Sequence, residues 1–117
     1  MDSNYTHAIV LDFEATCDDR SRPRPQEIIE FPSVLISLKS LEFIDEFQAF
    51  IRPVHNPVLT TFCKNFTSIQ QSDVDGAKIF PEVLADHQSW LENHGLGDEN
   101  AIIVTCGDWD LGKMLPA

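Results

Sequence analysis

Residues 8–17, AIVLDFEATC, decide how the chain folds. Residues 8–13 are apolar at both alternating sets of positions, which is typical of a central strand covered on both faces. The strand ends in carboxylates. Because Asp12 and Glu14 are two residues apart, their side chains point to the same face and can converge on one cation.

Further strands are predicted on either side of the middle of the chain. Residues 28–38 and 41–51 are rich in Ile, Val, Leu and Phe, and the polar link Lys39-Ser40 between them predicts a hairpin. Residues 101–106 form another apolar run that predicts a strand buried on both faces. Together with the helices described next, these strands predict an α/β fold built on a mixed sheet.

Helical signals occur in the second half of the chain. Residues 60–74 predict irregular or short helical structure crossing the sheet, and residues 108–115 could begin a last helix. Pro81 suits a first helical turn and Gly95 suits a helix end. Apolar or aromatic side chains recur between them at the spacing of an amphipathic helix: Val83, Leu84, His87, Trp90 and Leu91.

Composition limits the possible partners. The chain has 117 residues, 43% hydrophobic and 23% charged, as expected of one globular unit. A net charge of −11 argues against nucleic-acid binding through a general basic surface, and the cluster at 20–24 is interpreted as a solvated loop. Acidity is compatible with phosphate chemistry where metal ions reverse the local charge.

The cysteines and the lengths of the apolar runs indicate the cellular compartment and do not point to a functional site. Cys17, Cys63 and Cys106 are odd in number and lack C-x-x-C spacing, which disfavours a disulfide framework and a zinc site. We therefore expect an intracellular protein, cytoplasmic, nuclear or both. No signal peptide and no apolar run of about 20 residues is visible, so no membrane association is expected.

A third carboxylate follows the strand predicted at 101–106. If that strand neighbours the one at 8–13, Asp110 meets Asp12 and Glu14 at one end of the sheet. Carboxylate oxygens suit Mg²⁺ or Mn²⁺, and such a trio can hold two ions roughly 4 Å apart. The alternative is that acidic residues at strand ends are simply exposed. Asp108 competes with Asp110 for the third position.

Three motifs in order carry a resemblance to a known family. Residues 12–17 (DFEATC), 26–32 (QEIIEFP) and 107–111 (GDWDL) resemble the histone-mRNA exonuclease and prion-protein-interacting exonuclease branch of the DEDDh 3′→5′ exonucleases. The resemblance runs from about residue 8 to residue 117. It implies a ribonuclease H-like mixed sheet flanked by helices.

The resemblance also implies roles for the carboxylates. Asp12 would bridge two Mg²⁺ or Mn²⁺ ions, Glu14 would complete the site that activates water, and Asp110 would hold the ion near the leaving group. Asp110 is preferred to Asp108 because the family pattern places the ligand directly after an aromatic residue. Glu27 and Glu30 are interpreted as structural or supporting residues.

Substrate contacts follow from the same resemblance. Phe62 and Trp109 would flank the terminal base, with a place in the core as the alternative for both aromatic residues. The backbone around Ala15 and Thr16 would meet the terminal sugar. Ser68 stands where relatives commonly have Gly.

One part of the family pattern is missing. The family needs a later His as general base and a further Asp, and none of the four histidines, His7, His55, His87 and His94, stands in that position. His87 is predicted to be a packing residue. We therefore expect residues 1–117 to be a partial exonuclease domain, truncated after the second exonuclease motif and without its C-terminal third, and poorly active alone.

The predicted function is a 3′→5′ exoribonuclease that releases nucleoside 5′-monophosphates from the single-stranded 3′ end of RNA. The residues do not distinguish ribose from deoxyribose, so DNA stays an alternative. A second alternative is an impaired exonuclease fold that binds RNA or a protein partner. A third is an aspartate-nucleophile phosphatase, which would require Asp at the position of Glu14.

Overall fold

The computed structural model describes residues 5–105, which form five strands and three helices. The elements in chain order are β1 (His7–Leu11), β2 (Glu14–Ala15), β3 (Ile28–Ser37), β4 (Phe43–Phe50), α1 (Thr61–Thr67), α2 (Gln71–Asp75), α3 (Phe80–Asn93) and β5 (Ala101–Thr105). None of the helices in this range is long and apolar enough to cross a membrane.

The strands form one mixed sheet with β1 at its centre. β1 pairs antiparallel with β3 and parallel with β5, while β4 pairs antiparallel with the other edge of β3. The predicted central strand and the predicted hairpin are therefore confirmed. The hairpin turn is longer than the two residues predicted, and Leu41 lies within it in the left-handed region at φ +61°.

The first strand is shorter than predicted, since β1 ends at Leu11 and not at residue 13. Leu11 pairs with Ser33 and Glu14 pairs with Glu30 in one antiparallel register, which places Asp12 opposite Pro32. Proline has no amide hydrogen to donate across the sheet. β2 then continues along the same edge of β3, so Asp12 lies in a short break between two strand segments.

Two clusters of buried side chains cover opposite faces of the sheet. The larger lies between the sheet and α3 and contains Ile9, Leu11, Phe13, Ile28, Phe31, Leu35, Ile51, Val83 and Leu96. The smaller lies against α1 and α2 and contains Ile29, Leu59, Cys63, Ile69 and Val74. The neighbours Ile28 and Ile29 belong to different clusters, as expected for consecutive strand residues.

The helical predictions that fall within residues 5–105 are confirmed apart from one residue. Residues 60–74 contain α1 and α2, Pro81 lies in the first turn of α3, and Gly95 adopts φ +71° just beyond its end. In α3, Val83 and His87 are buried as predicted. Leu84 is 41% exposed, so its assignment to the apolar face is wrong.

The prediction that residues 101–106 form a strand buried on both faces is wrong for the described part. β5 is an edge strand of the described sheet, with β1 as its neighbour. Ala101 packs against the larger core cluster, whereas Ile102, Ile103 and Val104 are 39–44% exposed. Within residues 5–105, the sheet ends here with an apolar, partly uncovered strand.

Candidate functional site

The predicted acidic site lies where β1 and β5 end side by side. The two strands are parallel and Leu11 is the register partner of Thr105, so both strands end at the same edge of the sheet. The prediction that these two strands are neighbours in the sheet is thereby confirmed. Asp12 directly follows β1. Asp108, Trp109, Asp110 and the helix predicted at 108–115 lie outside the described residues, so the meeting of three carboxylates stays a prediction.

Phe13 anchors the two acidic residues. It is 4% exposed, and its ring meets that of Phe31 edge-to-face with centroids 4.6 Å apart. Asp12 is exposed and Glu14 is half-buried, so burial alternates along the three residues as the sequence spacing requires. Burying the aromatic ring therefore holds the carboxylates on the outer side of the chain.

Glu14 borders a small cavity of about 210 Å³. The lining residues are Phe13, Glu14, Ala15, Cys17, Gln26 and Phe66. Two of these, Glu14 and Ala15, are site residues predicted from the sequence. A carboxylate at the wall of an open cavity is positioned to reach a bound ion or ligand.

The turn after β2 is fixed by residues from a distant part of the chain. Thr16 donates its amide to the Glu27 carbonyl at 2.8 Å, and its hydroxyl accepts from the Glu27 amide at 2.9 Å. The Gln26 side chain donates to the Thr16 carbonyl at 3.0 Å. Both backbone polar groups of Thr16 are thus engaged within the protein, and the predicted sugar contact of Ala15 and Thr16 stays a prediction.

Thr60 joins this turn to α1. Its hydroxyl donates to the Cys17 carbonyl at 2.7 Å and accepts from the Cys63 amide at 3.0 Å, which caps the helix N-terminus. One side chain therefore couples the end of the DFEATC motif to the helix that carries Phe62. Sequence reasoning missed Thr60 because the contact spans 43 positions.

Glu27 is a structural residue, in line with its sequence interpretation. Its carboxylate accepts the backbone amides of Val54, His55 and Asn56 at 2.8–3.2 Å. Glu30 accepts from the side chain of Gln48 at 2.9 Å. Both carboxylates therefore accept hydrogen bonds from the protein. The side chain of Asp12, in contrast, has no hydrogen bond or ion pair to another described residue.

The donor set at this edge fits a hard divalent cation. Asp12 and Glu14 supply carboxylate oxygens, the ligand type that such an ion prefers. Within residues 5–105, no three His, Cys, Asp or Glu side chains are grouped to hold a metal ion. The third predicted ligand, Asp110, lies outside that range, so the assignment of Asp12, Glu14 and Asp110 as metal ligands stays a prediction.

Two aromatic side chains of α1 lie next to each other, and one of them, Phe66, shares a cavity with Glu14. Phe62 is half-buried on α1 and belongs to neither core cluster, which favours the substrate-facing interpretation over the core alternative. Its ring stacks on that of Phe66, with centroids 5.5 Å apart and planes inclined by 12°. Both rings line a groove of about 650 Å³, and Asp18, Asp19 and Arg20 line it as well.

Comparison with known proteins identifies the family. The model of the RNase T exonuclease family matches residues 9–117. The chain belongs to this exonuclease family. Its relatives include ERI1 exoribonuclease 3 of Homo sapiens, 46% identical over 114 residues, and 3′-5′ exoribonuclease 1 of Homo sapiens, 41% identical over 116 residues. They match 96% and 97% of this chain, which spans 34% and 33% of their lengths.

Solved exonuclease structures confirm the ribonuclease H-like fold. One, described as "3′-end specific recognition of histone mRNA stem-loop by 3′-exonuclease", is 40% identical with a TM-score of 0.90 and covers 97% of this chain and 52% of its own. Another, the nuclease domain of 3′hExo, a DEDDh family member bound to rAMP, is 40% identical with a TM-score of 0.87. It covers 97% of this chain and 57% of its own. The resemblance to the DEDDh exonucleases is therefore confirmed.

The four histidines of this exonuclease chain all fall within the described range, and each is engaged in a structural contact or held by its backbone. His87 is buried and shares a 2.9 Å hydrogen bond with the Ser33 hydroxyl, and burial lowers its pKa to about 4. This confirms its predicted packing role. His94 hydrogen-bonds Asp45, His7 hydrogen-bonds Thr6, and the His55 amide is bound by Glu27.

Cys17, the last residue of the DFEATC motif, packs against the cluster that contains Cys63. Cys17 is half-buried against the smaller core cluster that contains Cys63, and both are free thiols. Burial, with the neighbouring Cys63 as the next cause, raises the pKa of Cys17 to about 12. A thiol with so high a pKa is a poor nucleophile and a poor metal ligand at neutral pH.

Proposed function

We propose that the chain is part of a 3′→5′ exoribonuclease that hydrolyses terminal phosphodiesters and releases nucleoside 5′-monophosphates. The observation that carries this proposal is the position of Asp12 and Glu14. They follow β1 at the edge where the parallel strand β5 also ends, and Phe66, which lines the cavity beside Glu14, also lines an aromatic groove. Asp110, five residues after Thr105, is proposed to complete the acidic site.

Two Mg²⁺ or Mn²⁺ ions are proposed as cofactors, which when bound would activate a water and stabilise the leaving oxygen. Asp12, which is exposed and whose side chain has no partner among residues 5–105, would help to hold both ions. Glu14 is proposed to hold one of them from the wall of its cavity. The buried ring of Phe13 keeps both carboxylates aimed outward, which lowers the reorganisation needed when a ligand binds.

The proposed substrate is the single-stranded 3′ end of RNA. Stacking on an aromatic ring is tolerant of sequence, and the groove beside the carboxylates offers the ring of Phe62 for this purpose. The net charge of −11 leaves little general attraction for a polyanion, so metal ions and stacking must provide most of the binding. The relative described as recognising the 3′ end of a histone mRNA stem-loop supports RNA over DNA.

The placement of the histidines favours a second candidate for the isolated chain. His87 and His94 are bound to Ser33 and Asp45, and neither lines the cavity beside Glu14. Absence of a general base commonly costs about 10² to 10⁴ in rate. The second candidate is therefore a chain that binds RNA 3′ ends through the same residues and cuts them slowly or not at all.

The test is incubation of the chain with 5′-labelled single-stranded RNA and Mg²⁺ over hours. We expect slow stepwise shortening of the labelled strand, with nucleoside 5′-monophosphates identified by chromatography, and both should stop with a chelator and in Asp12→Ala. Asp98→Ala, an exposed carboxylate ahead of β5, is the matched control and should behave as wild type. RNA binding that needs Asp12 without any release would favour the second candidate. Neither binding nor release, or release that persists in Asp12→Ala, would contradict the proposal.

A further inference from the structure

Phe66 is an aromatic side chain whose position the core does not explain. It lies in the last turn of α1 with 71% of its surface exposed, and it belongs to neither core cluster. One face of its ring is turned toward Phe62, whose plane is inclined by only 12°. Single exposed apolar residues are common, but two stacked rings that line one groove form an aromatic surface on which nucleotide bases can stack.

Phe66 connects two depressions of the surface. It lines the cavity of about 210 Å³ that Glu14 borders, and it also lines the groove of about 650 Å³ that contains Phe62 and Arg20. Phe62 lines only the groove. Phe66 is therefore the outer ring of the pair and, of the two, the ring that shares a cavity with the acidic site.

The path of a bound strand follows from this order, given the proposed function. If the terminal base contacts Phe62 and the scissile phosphate reaches Glu14, the next nucleoside leaves the site over the exposed ring of Phe66. Arg20 is a cation on the wall of the groove, and the carboxylates of Asp18 and Asp19 beside it offset its charge. Aromatic stacking is therefore the main favourable interaction between this groove and a nucleotide.

We propose that Phe66 binds the base of the second nucleotide from the 3′ end, so that α1 presents a two-ring platform to two successive bases. Its ligand is the penultimate nucleoside of a single-stranded RNA. This inference rests on the proposed function and adds a residue and a subsite to it. The spacing of Phe62 and Phe66, four residues apart on one helix, is the sequence signal for such a platform.

The experiment compares binding of AMP with binding of a short oligoadenylate. The oligonucleotide carries a phosphorothioate at its last linkage, and Ca²⁺ replaces Mg²⁺, so that the 3′ end stays intact during the titration. The variants are Phe66→Leu, which removes the ring but keeps an apolar side chain, and Phe66→Trp, which keeps an aromatic face. Phe43→Leu, on β4 and 62% exposed, is the matched control.

We expect Phe66→Leu to bind AMP as wild type does and to bind the oligonucleotide about 5- to 150-fold more weakly, the range for loss of one stacked base. Phe66→Trp and Phe43→Leu should keep wild-type affinity for both ligands. An abasic site at the penultimate position should weaken wild-type binding by a similar factor and should have little further effect in Phe66→Leu.

The outcomes separate the two proposals. Equal oligonucleotide binding by wild type and Phe66→Leu would overturn the role of Phe66 while leaving the exonuclease proposal intact. Equal losses for AMP and for the oligonucleotide would also overturn it, because Phe66 would then belong to the terminal subsite. If wild type binds neither ligand with metal present, the proposed function fails and the inference fails with it.

Discussion

Acid should destabilise this protein through His87, and replacing that residue with Gln should remove part of the effect. The imidazole is 5% exposed and lies among the rings of Phe31, Phe47 and Trp90 at centroid distances of 4.7–5.5 Å. Burial lowers its pKa from the ordinary value of 6.5 to about 4. In the unfolded chain the ring returns to water and to its ordinary pKa.

The sign and size of the effect follow from these two pKa values. As the pH falls below 6.5 the unfolded chain takes up a proton that the folded chain accepts only near pH 4, so folded stability decreases through that window. Above pH 6.5 the ring is mostly neutral in both states, so its titration does not change the free energy of unfolding. At about 1.4 kcal/mol per pKa unit the upper limit is about 3 kcal/mol, and local relaxation around the ring should reduce it to about 2 kcal/mol.

The assay is urea unfolding at pH 7 and at pH 4.5, followed by tryptophan fluorescence, for wild type and His87→Gln. Gln can retain a hydrogen bond to Ser33, so the variant should fold, with a cost of about 1–3 kcal/mol at pH 7. Other titrating groups such as Asp45 affect both proteins alike. The loss of stability on acidification should be about 2 kcal/mol smaller in the variant. Equal losses in both proteins would refute the assignment of the acid effect to His87.

Three further predictions concern the supports of the site. Ser68 ends α1 at φ +66°, where Gly avoids steric strain, so Ser68→Gly should raise the free energy of unfolding in urea by about 0.5–1 kcal/mol; a decrease would contradict this. Thr60→Val removes a helix cap and the link to Cys17 and should cost about 1–2 kcal/mol, whereas its neighbour Thr61→Val should cost less than half as much. Glu27→Gln should speed hydrogen exchange of the amides at 54–56 by about tenfold, and unchanged exchange would contradict its anchoring role.

Much of the fold could be predicted from local patterns. The two-sided apolar run at 8–13, the paired apolar stretches around residue 40 and the helix opening at Pro81 each correspond to an observed element. The break after Leu11 could not be predicted from its own stretch because it depends on Pro32 in the facing strand. The exposure of β5 depends on which elements cover it, and periodicity within a strand contains no such information.

In the candidate site, too, local patterns predict some residues, whereas others are recognised only from contacts between distant parts of the chain. Asp12 and Glu14 were predicted because two carboxylates at alternate positions after an apolar run are a local signal. Thr60 was missed because its contact with Cys17 joins distant positions. Phe66 was missed although the four-residue spacing from Phe62 was visible, since spacing alone does not separate a solvent-exposed aromatic pair from a core pair.

The measurement that tests the account most directly is a Mn²⁺ titration of the chain followed by water-proton relaxation. Wild type should bind two Mn²⁺ ions, and Asp12→Asn should lose at least about tenfold in affinity, because this carboxylate is assigned to both ions. Asp98→Asn should titrate as wild type does. Equal Mn²⁺ affinity and stoichiometry in wild type and Asp12→Asn would contradict the claim that the edge where β1 and β5 end is a metal-dependent nuclease site.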